Sequence, residues 1–176
     1  AFHALIGSRR AATGHQATER TPQVVAGLLV EGTLHVLVGD AASGKSTIMQ
    51  QVATAVASGD HTHVLGYEIP DAARGRMGVL LTAEDDTDSI HRRIYLFAQA
   101  GLTGNMMPIP RPLGGLVQAL KSIEDLSNLG VVVIDPARAW LDGKEDDSDV
   151  VSKFFSLCQD FAARSRAAVV VVHHTR

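Results

Sequence analysis

The stretch "HVLVGDAASGKSTIMQQVATAV", residues 35–56, decides the fold. An apolar run ending at Val38 meets a loop of small residues, then Gly44-Lys45-Ser46, then a helical pattern. Gly39-Asp40-Ala41-Ala42-Ser43-Gly44-Lys45-Ser46 fits the eight-position pattern G-x-x-x-x-G-K-[ST]. Its requirements are physical. Glycines at the ends let backbone N–H groups close on phosphate oxygens, a lysine reaches the β- and γ-oxygens, and a hydroxyl faces Mg²⁺. The following helix aims its N-terminal dipole at the same anion. These eight residues, with Ile48 just beyond, are the candidate nucleotide contacts. Ala41 and Ala42 stand where many such loops carry another glycine, which stiffens the loop without blocking it.

Outward from this loop, short apolar runs alternate with amphipathic windows, the pattern of βαβ units and a mostly parallel sheet with helices on both faces. The predicted strands are residues 33–38, 79–82, 131–134 and 168–172, each nearly non-alternating, as strands covered on both faces should be. Helical stripes are read in Ile48, Met49, Val52 and Val56; in Ile90, Ile94 and Phe97, starting near Asp86-Thr87 and stopping at Gly101; in Leu116, Leu120 and Ile123; and in Val150, Val151, Phe154, Leu157, Cys158 and Phe161. The stripes are core, and Cys158 is core filling. Residues 59–77 and 104–112 are punctuated by Pro and Gly and leave room for one short strand each. The acid-rich loop 142–149 reads as solvated and mobile.

A chain of 176 residues, 45% hydrophobic and 20% charged, can bury one sizeable core. We expect an arm over residues 1–23 and one domain over 24–176. The net charge of −3 gives no global basic field, so any nucleic-acid contact is local or shared between subunits. The longest apolar run near the end, residues 167–172, is far short of a bilayer span. One cysteine fits a reducing cytoplasm. The opening has its arginines after its apolar part, the reverse of a secretory signal, and does not begin with Met, so we expect a piece of a longer protein.

Three further strand ends carry chemistry. "VVVID", residues 131–135, delivers Asp135, a second Mg²⁺ ligand beside Ser46. "VLLTAEDD", residues 79–86, delivers Glu84, a candidate general base for water, whereas Asp85, Asp86 and Asp88 suit the start of the next helix. "VVVVHHTR", residues 169–176, delivers His173 and His174. Zinc needs further Cys or His partners, and His61 and His63 sit in a turn-rich segment. A γ-phosphate-sensing role fits the strand-end histidines better than a plain structural one.

Taken together, the phosphate loop, "LLTAED" with "SIHRR", "VVVIDPARAW" and "VVVVHHTR" resemble the RecA-like P-loop ATPase core of hexameric replicative helicases, the RepA type of plasmid and phage helicases. The resemblance implies an α/β RecA-like fold over residues 24–176, ATP and Mg²⁺ as cofactors, a homo-oligomeric ring, and single-stranded DNA as partner. It implies Glu84 as catalytic base, Lys45 on the phosphates, Ser46 and Asp135 on the metal, and His174, with His173 beside it, as γ-phosphate sensor. Arg93 and Arg138 match arginines of that family. The family's DNA-contacting loops and arginine finger tend to follow the histidine strand, hence beyond Arg176.

Two other classes share the loop. A nucleotide-dependent switch or recombination-mediator ATPase uses ATP to set assembly. A small-molecule kinase needs a lid, for which residues 59–77 and 104–112 are weak candidates, and Glu84 favours hydrolysis over transfer to an acceptor.

Overall fold

The computed structural model describes residues 21–83 and 87–175. Most of the expected arm, together with Glu84, Asp85, Asp86 and Arg176, lies outside the described residues. The elements in order are β1 (Gln23–Val25), β2 (Leu29–Val30), β3 (Leu34–Gly39), α1 (Lys45–Ser58), β4 (His63–Val64), β5 (Tyr67–Glu68), β6 (Met77–Thr82), α2 (Thr87–Gln99), β7 (Met106–Pro110), α3 (Gly115–Lys121), β8 (Leu129–Asp135), a 3₁₀ turn (Ala137–Trp140), α4 (Ser148–Ser165) and β9 (Ala168–His174).

β3, β9, β8, β6 and β7 form, in that order, a five-stranded sheet in which every pairing is parallel. Two antiparallel pairs, β1–β2 and β4–β5, stand apart from it. The fold is α/β and RecA-like, with a parallel central sheet and helices on both faces. One face packs Met49, Val52, Ala53 and Val56 of α1 and Ile90 of α2 on Leu80, Val131, Val133, Val170 and Val172. The other packs Leu116 and Leu120 of α3 and Phe154, Cys158 and Phe161 of α4 on Val79, Leu81, Val132, Ile134, Val169 and Val171. Strand residues therefore divide by parity between two cores, which is why these strands read as continuous apolar runs. Burial pushes the Cys158 thiol up to about 12, so it stays protonated, in keeping with a core role. Among the described residues no helix is long and apolar enough to cross a membrane.

Several expectations need correction. β3 is one of the sheet's two outer strands, and its Val36 and Val38 are about half exposed, so it is not covered on both faces. Ile48 is 40% exposed and leaves the α1 stripe to Met49, Val52 and Val56. Ile123 is buried although α3 stops at Lys121, and it packs in the same core as Leu116 and Leu120. Residues 59–77 hold two short strands, not one, joined through Leu65-Gly66, both with positive φ, the geometry of a tight hairpin turn. Segment 104–112 holds β7, paired along its length with β6.

Gly104 shows what locks β7 to the domain. A Cβ there would lie 2.6 Å from the Thr54 carbonyl oxygen and 2.8 Å from Ala57 and Ser58 backbone atoms of α1. These are backbone atoms that cannot rotate away, so the α1–β7 approach requires glycine. We predict that Gly104→Ala lowers unfolding free energy by about 1–3 kcal/mol, the usual cost of overpacking. Urea denaturation with an unchanged m-value checks this; an unaltered midpoint contradicts the close approach.

Candidate functional site: the carboxyl edge around the phosphate loop

All five parallel strands end on one edge, and the register places their last residues. Gly39 pairs with His174 across β3 and β9, and Thr82 with Asp135 across β6 and β8. Ile134 pairs with Val171, so Asp135 stands opposite Val172 and on the same face as His174. Gly39, His174, Asp135 and Thr82 therefore share the face on which α1 packs. The phosphate-loop strand and the aspartate strand are not neighbours: β9 runs between them, which separates their ends by about 10 Å at the usual strand spacing. That span suits a metal ion and its phosphates between the two strand ends.

The loop is held by its own lysine. Lys45 is buried, and its Nζ donates to the Gly39 carbonyl at 2.8 Å, the Asp40 carbonyl at 2.5 Å and Ser43 Oγ at 3.2 Å. Gly44, at φ 84°, turns the chain into α1. No side chain caps that helix, whereas α4 is capped by Asp147, whose carboxylate accepts from the Asp149 amide at 2.9 Å and the Val150 amide at 3.4 Å. The amides of Gly44, Lys45, Ser46 and Thr47 find no acceptor among the described residues. Ala42 takes φ 57°, the left-handed region that glycine enters freely and alanine at a cost of about 1 kcal/mol or more. Strain is thus stored in the loop at one of the two positions where the sequence shows alanine in place of glycine.

This donor set fits a nucleotide's phosphates: open amides at a helix start, an ammonium and a hydroxyl. Asp135 is 6% exposed at the end of its strand, and His174 Nδ1 is buried without a hydrogen-bond partner among the described residues. A hard divalent cation such as Mg²⁺ can be held by Ser46 and Asp135, with phosphate and water completing its shell. Among the described residues no three His, Cys, Asp or Glu side chains converge as a ready-made metal cage. A family model described as an AAA domain matches residues 8–176.

The chain belongs to this AAA family of P-loop ATPases. A search of curated proteins found no match. Family membership carries ATP binding and hydrolysis at the general level, typically with Mg²⁺.

The structure separates the two histidines that the sequence set side by side. His174 points with Asp135 to the α1 face, whereas His173 shares its face with Val38, and its Nδ1 lies 3.5 Å from Glu145 Oε1. Loop 142–149 is therefore anchored at two points, Glu145 and the capping Asp147, and is not wholly solvated. A cavity of about 400 Å³ beside the loop is lined by Ala41, Ala42, Pro136, Arg138, His173 and His174, among others. It brings Arg138 to the phosphate loop. Arg93 lies on α2, and Ile48 lies half-exposed one turn into α1. Glu84 follows the end of β6 by two residues and lies outside the described residues.

Sequence reading missed Thr175. Its amide donates to the Gly39 carbonyl at 3.1 Å and its hydroxyl to Asp40 Oδ1 at 2.5 Å, which ties the end of β9 to the start of the phosphate loop. The only available signal was a hydroxyl residue directly after the histidine pair. Lys45→Ala should abolish the ATP-dependent rise in thermal stability, worth about 2.7 kcal/mol at a hundredfold excess over Kd. Differential scanning fluorimetry of both proteins with and without Mg·ATP measures it. A variant that keeps the full rise would place the phosphates elsewhere.

Proposed function

We propose that residues 24–176 are the motor domain of a Mg²⁺-dependent, DNA-stimulated ATPase: a replicative helicase of the RepA type, acting on single-stranded DNA as a homo-oligomeric ring, hexameric by resemblance. The observation that supports this reading best is the position of β9. A strand whose end faces the phosphate-loop strand on one side and the aspartate strand on the other is suited to relay the state of the γ-phosphate into the chain that follows it.

In this reading Lys45 releases the Gly39 and Asp40 carbonyls and neutralises the phosphates together with the first amides of α1. Ser46 and Asp135 would hold the metal, which would supply charge neutralisation to the phosphates. Glu84 accepts a proton from the attacking water. His174 presents its buried Nδ1 to the γ-phosphate side and shifts with β9 on hydrolysis, and Thr175 passes that shift to Asp40. A ring brings a neighbour's arginine to the edge, and such a residue is worth orders of magnitude in rate.

The test is ATP turnover by the full-length protein with and without single-stranded DNA, beside Glu84→Gln. We expect turnover to rise with DNA and to fall at least about a hundredfold in the variant. Turnover indifferent to DNA would overturn the motor reading and favour a nucleotide-dependent assembly switch, and unchanged turnover in Glu84→Gln would remove Glu84 as base.

A further inference from the structure

A second cavity, of about 400 Å³, opens on the same carboxyl edge but on the α3/α4 face of the sheet. It lies where three chain segments meet. Arg111 follows β7 directly, and its amide donates to the Thr82 carbonyl at 3.1 Å. Trp140 ends the 3₁₀ turn that leaves Asp135, five residues on. Lys153 stands in the second turn of α4, six residues beyond the cap at Asp147. All three line the cavity, with Phe154 in its floor and Leu113, fully exposed, at its rim.

The polar groups here are unmatched. Trp140 is 2% exposed, and its indole N–H, a donor with no acceptor role, has no hydrogen-bond partner among the described residues. Leaving such a donor buried and unmade costs stability. Arg111 and Lys153 are exposed and form no ion pair among the described residues. A concave site with an apolar floor, two uncommitted cations and one orphaned donor suits an anionic ligand with apolar parts. Asp142 lines the same cavity and weakens its attraction for an anion.

We propose that this cavity binds single-stranded nucleic acid, with one or two backbone phosphates on Arg111 and Lys153, an acceptor oxygen at the Trp140 N–H, and a base against Leu113. The proposal rests on the DNA-motor reading and names where on this chain the strand is held. A guanidinium fork beside an ammonium matches phosphodiester oxygens, and the exposed leucine offers the apolar contact that a bare anion does not need. The position also explains a coupling route. Asp135, at the end of β8, is joined to Trp140 by Pro136 and the short 3₁₀ turn, so a displacement of one is carried over few residues to the other.

Trp140 is the sole tryptophan of the chain, which makes the cavity directly readable. The experiment titrates the protein with oligothymidylate, following the anisotropy of a labelled strand for binding as such and Trp140 emission for occupancy of the cavity. We expect saturable binding with a matching emission change. In Arg111→Ala/Lys153→Ala the emission change disappears, affinity falls by about tenfold for each cation removed, and the slope of log K against log salt falls by about 1.4 in magnitude. Asp142→Asn tightens binding. Binding by anisotropy that neither moves Trp140 emission nor weakens in the double variant overturns the cavity and leaves the motor reading standing. A wild-type protein that binds ATP but no oligothymidylate overturns both. An emission change with inorganic phosphate and none with oligothymidylate overturns the polynucleotide assignment in favour of a small anion.

Discussion

The site depends on the register of one strand. β9 is hydrogen-bonded to β3 on one side and β8 on the other, and its five buried residues from Ala168 to Val172 alternate between two different cores. A slip of one residue would exchange those cores and turn His174 away from Asp135. The pairing of β9 with β3 and β8 thus decides which histidine faces the phosphate loop. The Thr175 bonds to Gly39 and Asp40 extend the same ladder into the loop. Fold stability and site geometry are here one constraint: the strand pairing that orders the sheet also orders its polar edge.

The loop itself is organised around Lys45. A buried ammonium must be satisfied, and three oxygens of the loop, two of them backbone carbonyls, do so. Phosphate oxygens offer the same ammonium a stronger, charged partner, so nucleotide binding exchanges neutral acceptors for anionic ones without exposing the lysine. Ala42 in the left-handed region and the open amides of the first turn of α1 leave the loop shaped for that exchange before any ligand arrives. Preorganisation of this kind lowers the cost of binding, because little of the loop remains to be ordered. α4, which carries no such duty, spends its first amides on the Asp147 carboxylate.

Much of this was legible in the residues themselves. The phosphate loop is legible because its chemistry demands glycine, lysine and hydroxyl at fixed spacing, and the strands because burial on both faces leaves runs such as VVVI at 131–134. Strand order is another matter. Nothing local in β3, β8 or β9 says that the histidine strand runs between the other two, since periodicity reports faces and not neighbours. The edge position of β3 was hidden for the same reason: half-exposed Val36 and Val38 look like any buried valines in sequence. His173 and His174 read as a pair, yet a strand sends consecutive side chains to opposite faces, and the partner that separates them, Glu145, comes from a loop whose charge made it look purely solvated. Thr175 and Trp140 were silent because a hydroxyl or an indole acquires its role only from what the fold sets beside it.

The claim that β3, β8 and α1 build a single Mg·ATP site is tested most directly by a double-mutant cycle. Calorimetric affinity for a non-hydrolysable ATP analogue with Mg²⁺ would be measured for the parent protein, Ser46→Ala, Asp135→Asn and the double variant. Because both side chains are assigned to one metal ion, the effects should be non-additive, with a coupling of about 0.5–3 kcal/mol that vanishes when Mg²⁺ is withheld. Additive effects, or a coupling indifferent to Mg²⁺, would mean that the carboxyl ends of the two strands do not meet across one metal, and the account of the site would fail.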